Sequence, residues 1–207
     1  MLTRSGFSWV KLKKFCICSL RRQNHILPAK TKFLLKIMFI AAVAHPRYDD
    51  GKKRIFDGKI GCWPLISCGK AICKSKYREA GDDIINPITK VNNCVIKKLL
   101  IEGIIPRIKK VWPKAMNKQV TLQWDNATPH KKSFDIDMLE ACTSGGWDID
   151  IVQQPAKSPD LNTLDLGHFN TLQSLQYRIP CKNVENLQEA VGDSWAKIKR
   201  KTLEDCW

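Results

Sequence analysis

Two aspartates stand where folded chains commonly place reactive groups. Asp125 closes the short apolar run Val120-Thr-Leu-Gln-Trp124, and Asp165 opens an apolar segment after the proline-containing stretch from Gln153 to Asn162. Carboxylates at a strand end and at a helix start can meet at the edge of a sheet. Paired hard oxygen ligands of this kind suit Mg²⁺ or Mn²⁺, and two bound ions can activate a water and stabilise the leaving oxygen of a phosphodiester. The same residues have a plainer use, Asp125 as a turn former before Asn126 and Asp165 as an acid in the first turn of a helix.

The elements that must carry these residues are legible in the hydrophobic spacing. Phe33 to Ala44 is apolar on both faces, as a central strand covered on both sides of a sheet reads. Arg54 to Trp63 alternates and holds two glycines, which predicts a second strand pairing with the first across the turn Asp49-Asp50-Gly51. A polar, glycine-bearing stretch follows. Val95, Leu99, Leu100, Ile104, Ile105 and Ile108 then recur at helical spacing, predicting an amphipathic helix over about 91–112, kinked at Pro106 or ending near Pro113. Val120 to Trp124 reads as a strand, Phe134 to Cys142 as a helix closed by Gly145-Gly146, and Trp147 to Val152 as a strand of period two. Leu164 to Tyr177 and Val184 to Lys201 read as further helices, the last with Glu185, Glu189 and Asp193 on its surface. The order predicts an α/β domain, a mixed sheet with helices on both faces.

Composition narrows the partners. The chain has 207 residues, 43% of them apolar, and a net charge of +15, enough apolar content for a real core. Residues 1–78 hold 18 Lys or Arg against three acids, Asp49, Asp50 and Asp57, whereas residues 79–207 hold 17 of each sign. A basic block of this kind attracts a polyanion, most commonly nucleic acid, although it also serves as a solvated tail. The longest charge-free apolar run is the eight residues Ile37 to Ala44, too short for a membrane span. Ala42-Val43-Ala44 has the form of a signal cleavage site, but Lys36 and a basic leader of more than thirty residues precede it. The nine cysteines include no CxxC pair and read as reduced thiols.

Leu122-Gln-Trp-Asp125-Asn-Ala-Thr-Pro-His130, followed by Ser158-Pro-Asp-Leu-Asn162 and Leu164-Asp165-Leu-Gly-His-Phe169, resembles the catalytic core of mariner-like transposases of the plant type. Upstream, Lys36-Ile-Met-Phe-Ile-Ala-Ala-Val-Ala-His-Pro-Arg47-Tyr-Asp49 and Phe56-Asp-Gly-Lys-Ile-Gly61 resemble the strands that precede that core. The 39 residues between Asp125 and Asp165 match the spacing of the plant-type branch. The resemblance implies a ribonuclease-H-like fold and three aspartates that hold two Mg²⁺ ions for strand cleavage and strand transfer. It makes Asp125 the second of these and Asp165 the third, with Asp160 as the alternative third ligand or a loop-fixing residue, and it gives Asn126 and His130 supporting roles.

The first aspartate of the family has no counterpart. It should stand on the opening strand, upstream of Phe33, yet residues 1–48 contain neither Asp nor Glu. Aligning Trp9 and Leu12 with the residues that follow the family's Asp-Glu pair puts the position at Gly6. The expectation is therefore a truncated core: a basic segment of residues 1–30 that matches poorly, then a ribonuclease-H-like remnant over 31–207 whose opening strand is degraded or missing. An N-terminal helix-turn-helix region of the family would not fit in the chain. Removing the carboxylate that bridges both metals leaves weak or single-site Mg²⁺ or Mn²⁺ binding and impaired or absent catalysis. Asp49, Asp50 and Asp57 read as turn and strand-surface residues and do not replace it.

DNA is the expected partner, with Lys11, Lys13, Lys14, Arg21, Arg22, Lys52, Lys53 and Arg54 as phosphate contacts, and the nucleus the expected location, with Lys52-Lys53-Arg54 and Lys197 to Lys201 as weak import clusters. Two alternatives stay open: an active metal-dependent DNA nuclease or transposase with a substituted ligand, or a non-catalytic module that pairs with itself or with full-length transposase. A missing opening strand would leave apolar edge surface suited to such pairing.

Overall fold

The computed structural model describes residues 8–19, 35–49, 53–74, 79–124, 135–154, 169–179, 181 and 183–204. Its centre is a five-stranded mixed sheet in the order β5 (Lys59–Pro64), β2 (Leu35–Ala44), β1 (Ser8–Ser19), β8 (Gln119–Trp124) and β9 (Asp148–Gln153). Strand β1 (Ser8–Ser19) is the middle strand, antiparallel to β2 (Leu35–Ala44) and parallel to β8 (Gln119–Trp124). The opening strand expected to be degraded or missing is therefore present, and the boundary drawn at residue 30 falls between β1 and β2. Its lysines hid it from a hydrophobicity reading: Val10 and Leu12 on one face and Ile17 on the other are buried, but Lys11, Lys13 and Lys14 interrupt the apolar pattern. No apolar edge is left open where this strand was expected to be absent.

The predicted strand over Arg54 to Trp63 is two strands. A short ladder, β3 (Arg47–Tyr48) with β4 (Arg54–Phe56), forms around the Asp49 turn, where the backbone N–H of Lys53 donates to Asp49 Oδ1 at 2.6 Å. The chain then breaks at Gly58, with φ of 83°, before β5 (Lys59–Pro64) pairs with β2. Glycine is required there, since a Cβ would lie 2.4 Å from the carbonyl oxygen of Ala44. The polar stretch beyond it is a hairpin, β6 (Ile66–Lys70) with β7 (Asp83–Pro87). Most of its side chains are exposed or half-buried, so it carried no core signal.

The long predicted helix is present as α1 (Asn93–Leu99), a π-helical turn over Leu100–Ile104 and α2 (Ile105–Val111). Pro106 is the cause of the irregular turn, because its ring would clash with the carbonyl four residues back and it has no N–H to donate. Helix α3 (Ile136–Thr143) precedes β9 (Asp148–Gln153), with Gly145 and Gly146 at φ of 76° and 73° between them. Helix α4 (Phe169–Gln176) follows, and the last predicted helix divides at Ile198 into α5 (Val184–Lys197) and α6 (Arg200–Glu204).

Two large cores, beside a small cluster of Val43 and Leu203, hold these layers among the described residues. Val10, Leu12, Ile40, Ala42, Val120, Leu122 and Trp124 pack on one face of the sheet under Ile96, Ile104, Ile105 and Ile108 of the long helix and Met138 of α3. Ile17, Ile37 and Phe39 pack on the other face under Leu172 of α4 and Leu187 and Val191 of α5. Glu185, Glu189 and Asp193 are exposed on α5, as its periodicity predicts.

Caps fix the helix entries. The side chain of Asn183 accepts from the backbone N–H of Asn186 at 2.8 Å at the start of α5. Asn183→Ala is expected to cost about 1 kcal/mol in urea unfolding. Asp135 caps α3 by accepting from the Met138 N–H at 3.3 Å and also takes a hydrogen bond from the Lys97 ammonium. That hydrogen bond holds the Asp135 carboxyl below its ordinary value. A depressed folded pKa adds stability above the ordinary carboxylate range that is lost as pH falls through the folded value. The melting temperature of Asp135→Ala is thus expected to fall less between pH 7 and pH 3 than that of the unaltered protein.

Candidate functional site

The candidate site lies at the carboxyl end of β8. This strand is buried along Val120 to Trp124, because it runs between β1 and β9 and is covered on both faces. Asp125 comes directly after it and Asp165 four residues before α4. Asp125, Asn126, His130, Asp160 and Asp165 themselves lie outside the described residues.

Register assigns the neighbours. In the β1–β8 ladder Val10 faces Leu122, Lys11 faces Gln123 and Leu12 faces Trp124; on its other side Lys11 faces Val43 of β2. Val10, Leu12, Leu122 and Trp124 belong to the core under α1–α3. By strand alternation Lys11 and Gln123 take the opposite face, the one covered by α4 and α5. The strand positions beside the carboxyl end of β8 are therefore Lys11 and Leu12, and Gly6 lies outside the described residues.

The electrostatics follow from that placement. Lys11 is half-buried in the central strand, and the burial lowers its pKa from the ordinary lysine value. Gln123 is buried beside it, 8% exposed. Beyond β9, the Gln154 N–H donates to the Trp124 carbonyl at 2.7 Å, which ties the two strand ends together. No group of three His, Cys, Asp or Glu among the described residues could hold a metal ion.

The remaining predicted contacts divide by location. Lys13 and Lys14 stand in β1, Lys53 is exposed at the tip of the β3–β4 ladder and Arg54 opens β4, while Arg21, Arg22 and Lys52 lie outside the described residues. Asp49 and Asp57 are occupied with turns, Asp57 Oδ1 accepting from the Lys59 N–H at 3.0 Å. A groove of about 840 Å³ runs along β5, the edge strand farthest from β9, between Arg107 of α2 and Trp195 of α5; its described lining contains none of the predicted site residues. Among the described residues no helix is long and apolar enough to cross a membrane.

The architecture has solved counterparts. The chain is similar to the catalytic domain of Mos1 mariner transposase, with a TM-score of 0.57 and 14% identity over 96% of this chain and 74% of that one. The fold is ribonuclease-H-like. The Mos1 paired end complex with Mg is similar at a TM-score of 0.59 and 15% identity, and the Mos1 strand transfer complex at 0.56 and 15%. This chain spans about half of the transposase chain in those two complexes, 51% and 50%. No protein-family model and no curated protein matches the sequence.

Proposed function

We propose that this chain is a fragment of a mariner-like transposase of the plant type, which binds DNA in the nucleus through a ribonuclease-H-like core and is impaired in strand cleavage and transfer or devoid of it. Support comes from the Asp125 and Asp165 motifs at plant-type spacing, the basic charge of residues 1–78 and the fold shared with the Mos1 catalytic domain. In this reading Asp125 and Asp165 are the surviving carboxylates, Asn126, His130 and Asp160 support them, and Mg²⁺ or Mn²⁺ binds weakly or at one site.

Lys11 supports the loss of catalysis in this reading. In this reading Lys11, which pairs with Gln123 on the central strand, stands near the place of the first carboxylate, and a positive charge there repels a dication at close range. The residual pair Asp125 and Asp165 would then balance the lysine before any metal.

Supercoiled-plasmid nicking tests the reading, with Asp125→Ala beside the unaltered protein in Mg²⁺ and in Mn²⁺. Both are expected to leave the plasmid at the same background level, while a labelled duplex is retarded on a gel and released by moderate salt. Metal-dependent nicking that disappears in Asp125→Ala would instead establish an active nuclease.

A further inference from the structure

The end of the sheet opposite Asp125 carries a concentration of positive charge that the site described above does not use. Helix α2 ends at Val111, and the chain turns through 112–118 into the amino end of β8. The carboxyl end of α3 returns to the same rim through Ser144-Gly145-Gly146 and enters β9, where Asp148 pairs with Gln119. Between Glu102 and Asp125 the sequence has no acid and five cations, Arg107, Lys109, Lys110, Lys114 and Lys118.

Two of these are held in place. Lys109 Nζ donates to the carbonyl and to the Oγ of Ser144, both at 2.8 Å, and Lys118 Nζ donates to the carbonyl of Gly145 at 2.9 Å and lies 6.0 Å from the Trp147 ring centroid. One cation at these last α3 carbonyls would complement the helix dipole. Four lysines stand on the rim, with Lys110 and Lys114 exposed. Among the described residues, none of the four has a carboxylate within salt-bridge distance, whereas Lys70, Lys74, Lys97, Lys98 and Arg200 do. The acid on this rim, Asp148, accepts from Gln119 Nε2 at 3.4 Å. Burial lowers the pKa of Lys109, opposed by the charge of Cys142 and reinforced by that of Lys118.

We propose that Lys109, Lys110, Lys114 and Lys118, around the Ser144–Gly146 turn, form a second surface for the phosphate backbone of DNA. The inference rests on the DNA-binding reading above and adds a contact face outside residues 1–78. A membrane surface fits less well, because none of the large exposed apolar side chains, Trp9, Tyr48, Ile55, Ile72, Ile136, Leu139 and Tyr177, belongs to this rim. The six residues of β8, at about 3.3 Å each, set the rim roughly 20 Å from the Asp125 end, or about six phosphates along one strand. A duplex engaged here therefore makes contacts separate from those at the strand ends. Lys109 and Lys118 are immobilised before binding, so less side-chain entropy is lost when a phosphate arrives.

Fluorescence anisotropy with a labelled 24-base-pair duplex, titrated from about 50 to 300 mM KCl, tests the surface. The variant is Lys110→Gln with Lys114→Gln, two exposed lysines with no carbonyl to hold. The control is Lys199→Gln with Lys201→Gln, exposed residues giving the same change of charge. The rim variant is expected to lose about two units of the logarithmic salt slope and roughly tenfold or more in affinity near 100 mM, with the control close to the unaltered protein. Binding undiminished in the rim variant, or weakened alike in both pairs, overturns the second surface and leaves the DNA-binding reading standing. No binding by the unaltered protein overturns both.

Discussion

Lys11→Asp is expected to tighten Mn²⁺ binding by roughly ten- to a hundredfold, measured by titration calorimetry. The substitution changes the charge beside Gln123 by two units. Water and salt screen most of the bare Coulomb energy in a half-exposed site, but a residue of about 1.4 to 2.8 kcal/mol already gives that range. Lys11→Met, which removes the charge without supplying an oxygen, is expected to fall between the two. The readout is metal binding and needs no recovered cleavage, so it reports the electrostatics of the position alone. Equal Mn²⁺ affinity in all three proteins would mean that Lys11 does not face the metal-binding carboxylates, and the loss of catalysis would need another cause.

Deletion of residues 1–30 is expected to abolish cooperative unfolding, followed by near-ultraviolet circular dichroism in urea. Strand β1 lies between β2 and β8, so its removal strips both of their shared partner and cuts the sheet into two unconnected pairs. The backbone groups exposed at those edges have no substitute ladder. Ile17→Ala offers a milder version at a side chain that is 1% exposed and faces Ile37. It is expected to cost about 2 to 5 kcal/mol. A deleted chain that still unfolds in one sharp transition would show that residues 31–207 hold together without the central strand.

Different parts of this protein were legible to different degrees, and the reason lies in what each part buries. The strand β2, the long helix around Ile104 and the strand β9 follow directly from apolar spacing, because each buries a face against a core and the period of that face is written in its residues. The division of the predicted second strand at Gly58 was not legible. It depends on how closely the chain passes the carbonyl of Ala44, a contact across the sheet. The β6–β7 hairpin escaped notice because a surface ladder is satisfied by backbone hydrogen bonds and leaves little trace in side-chain pattern. Helix α3 was predicted from Phe134 and is described from Ile136, a difference within the usual fraying of helix ends.

The sequence by itself determined the α/β class, the chain positions of Asp125 and Asp165, and the absence of any acid before Asp49, since composition and local period are properties of neighbouring residues. Only the tertiary structure decided that the lysine-bearing segment Ser8–Ser19 is the middle strand, and that Lys11 stands beside Gln123. The physical reason is pairing. A strand flanked on both sides gains two ladders of backbone hydrogen bonds and buries Val10, Leu12 and Ile17 whatever stands between them, and which residues then face each other is set by a register between segments more than a hundred positions apart.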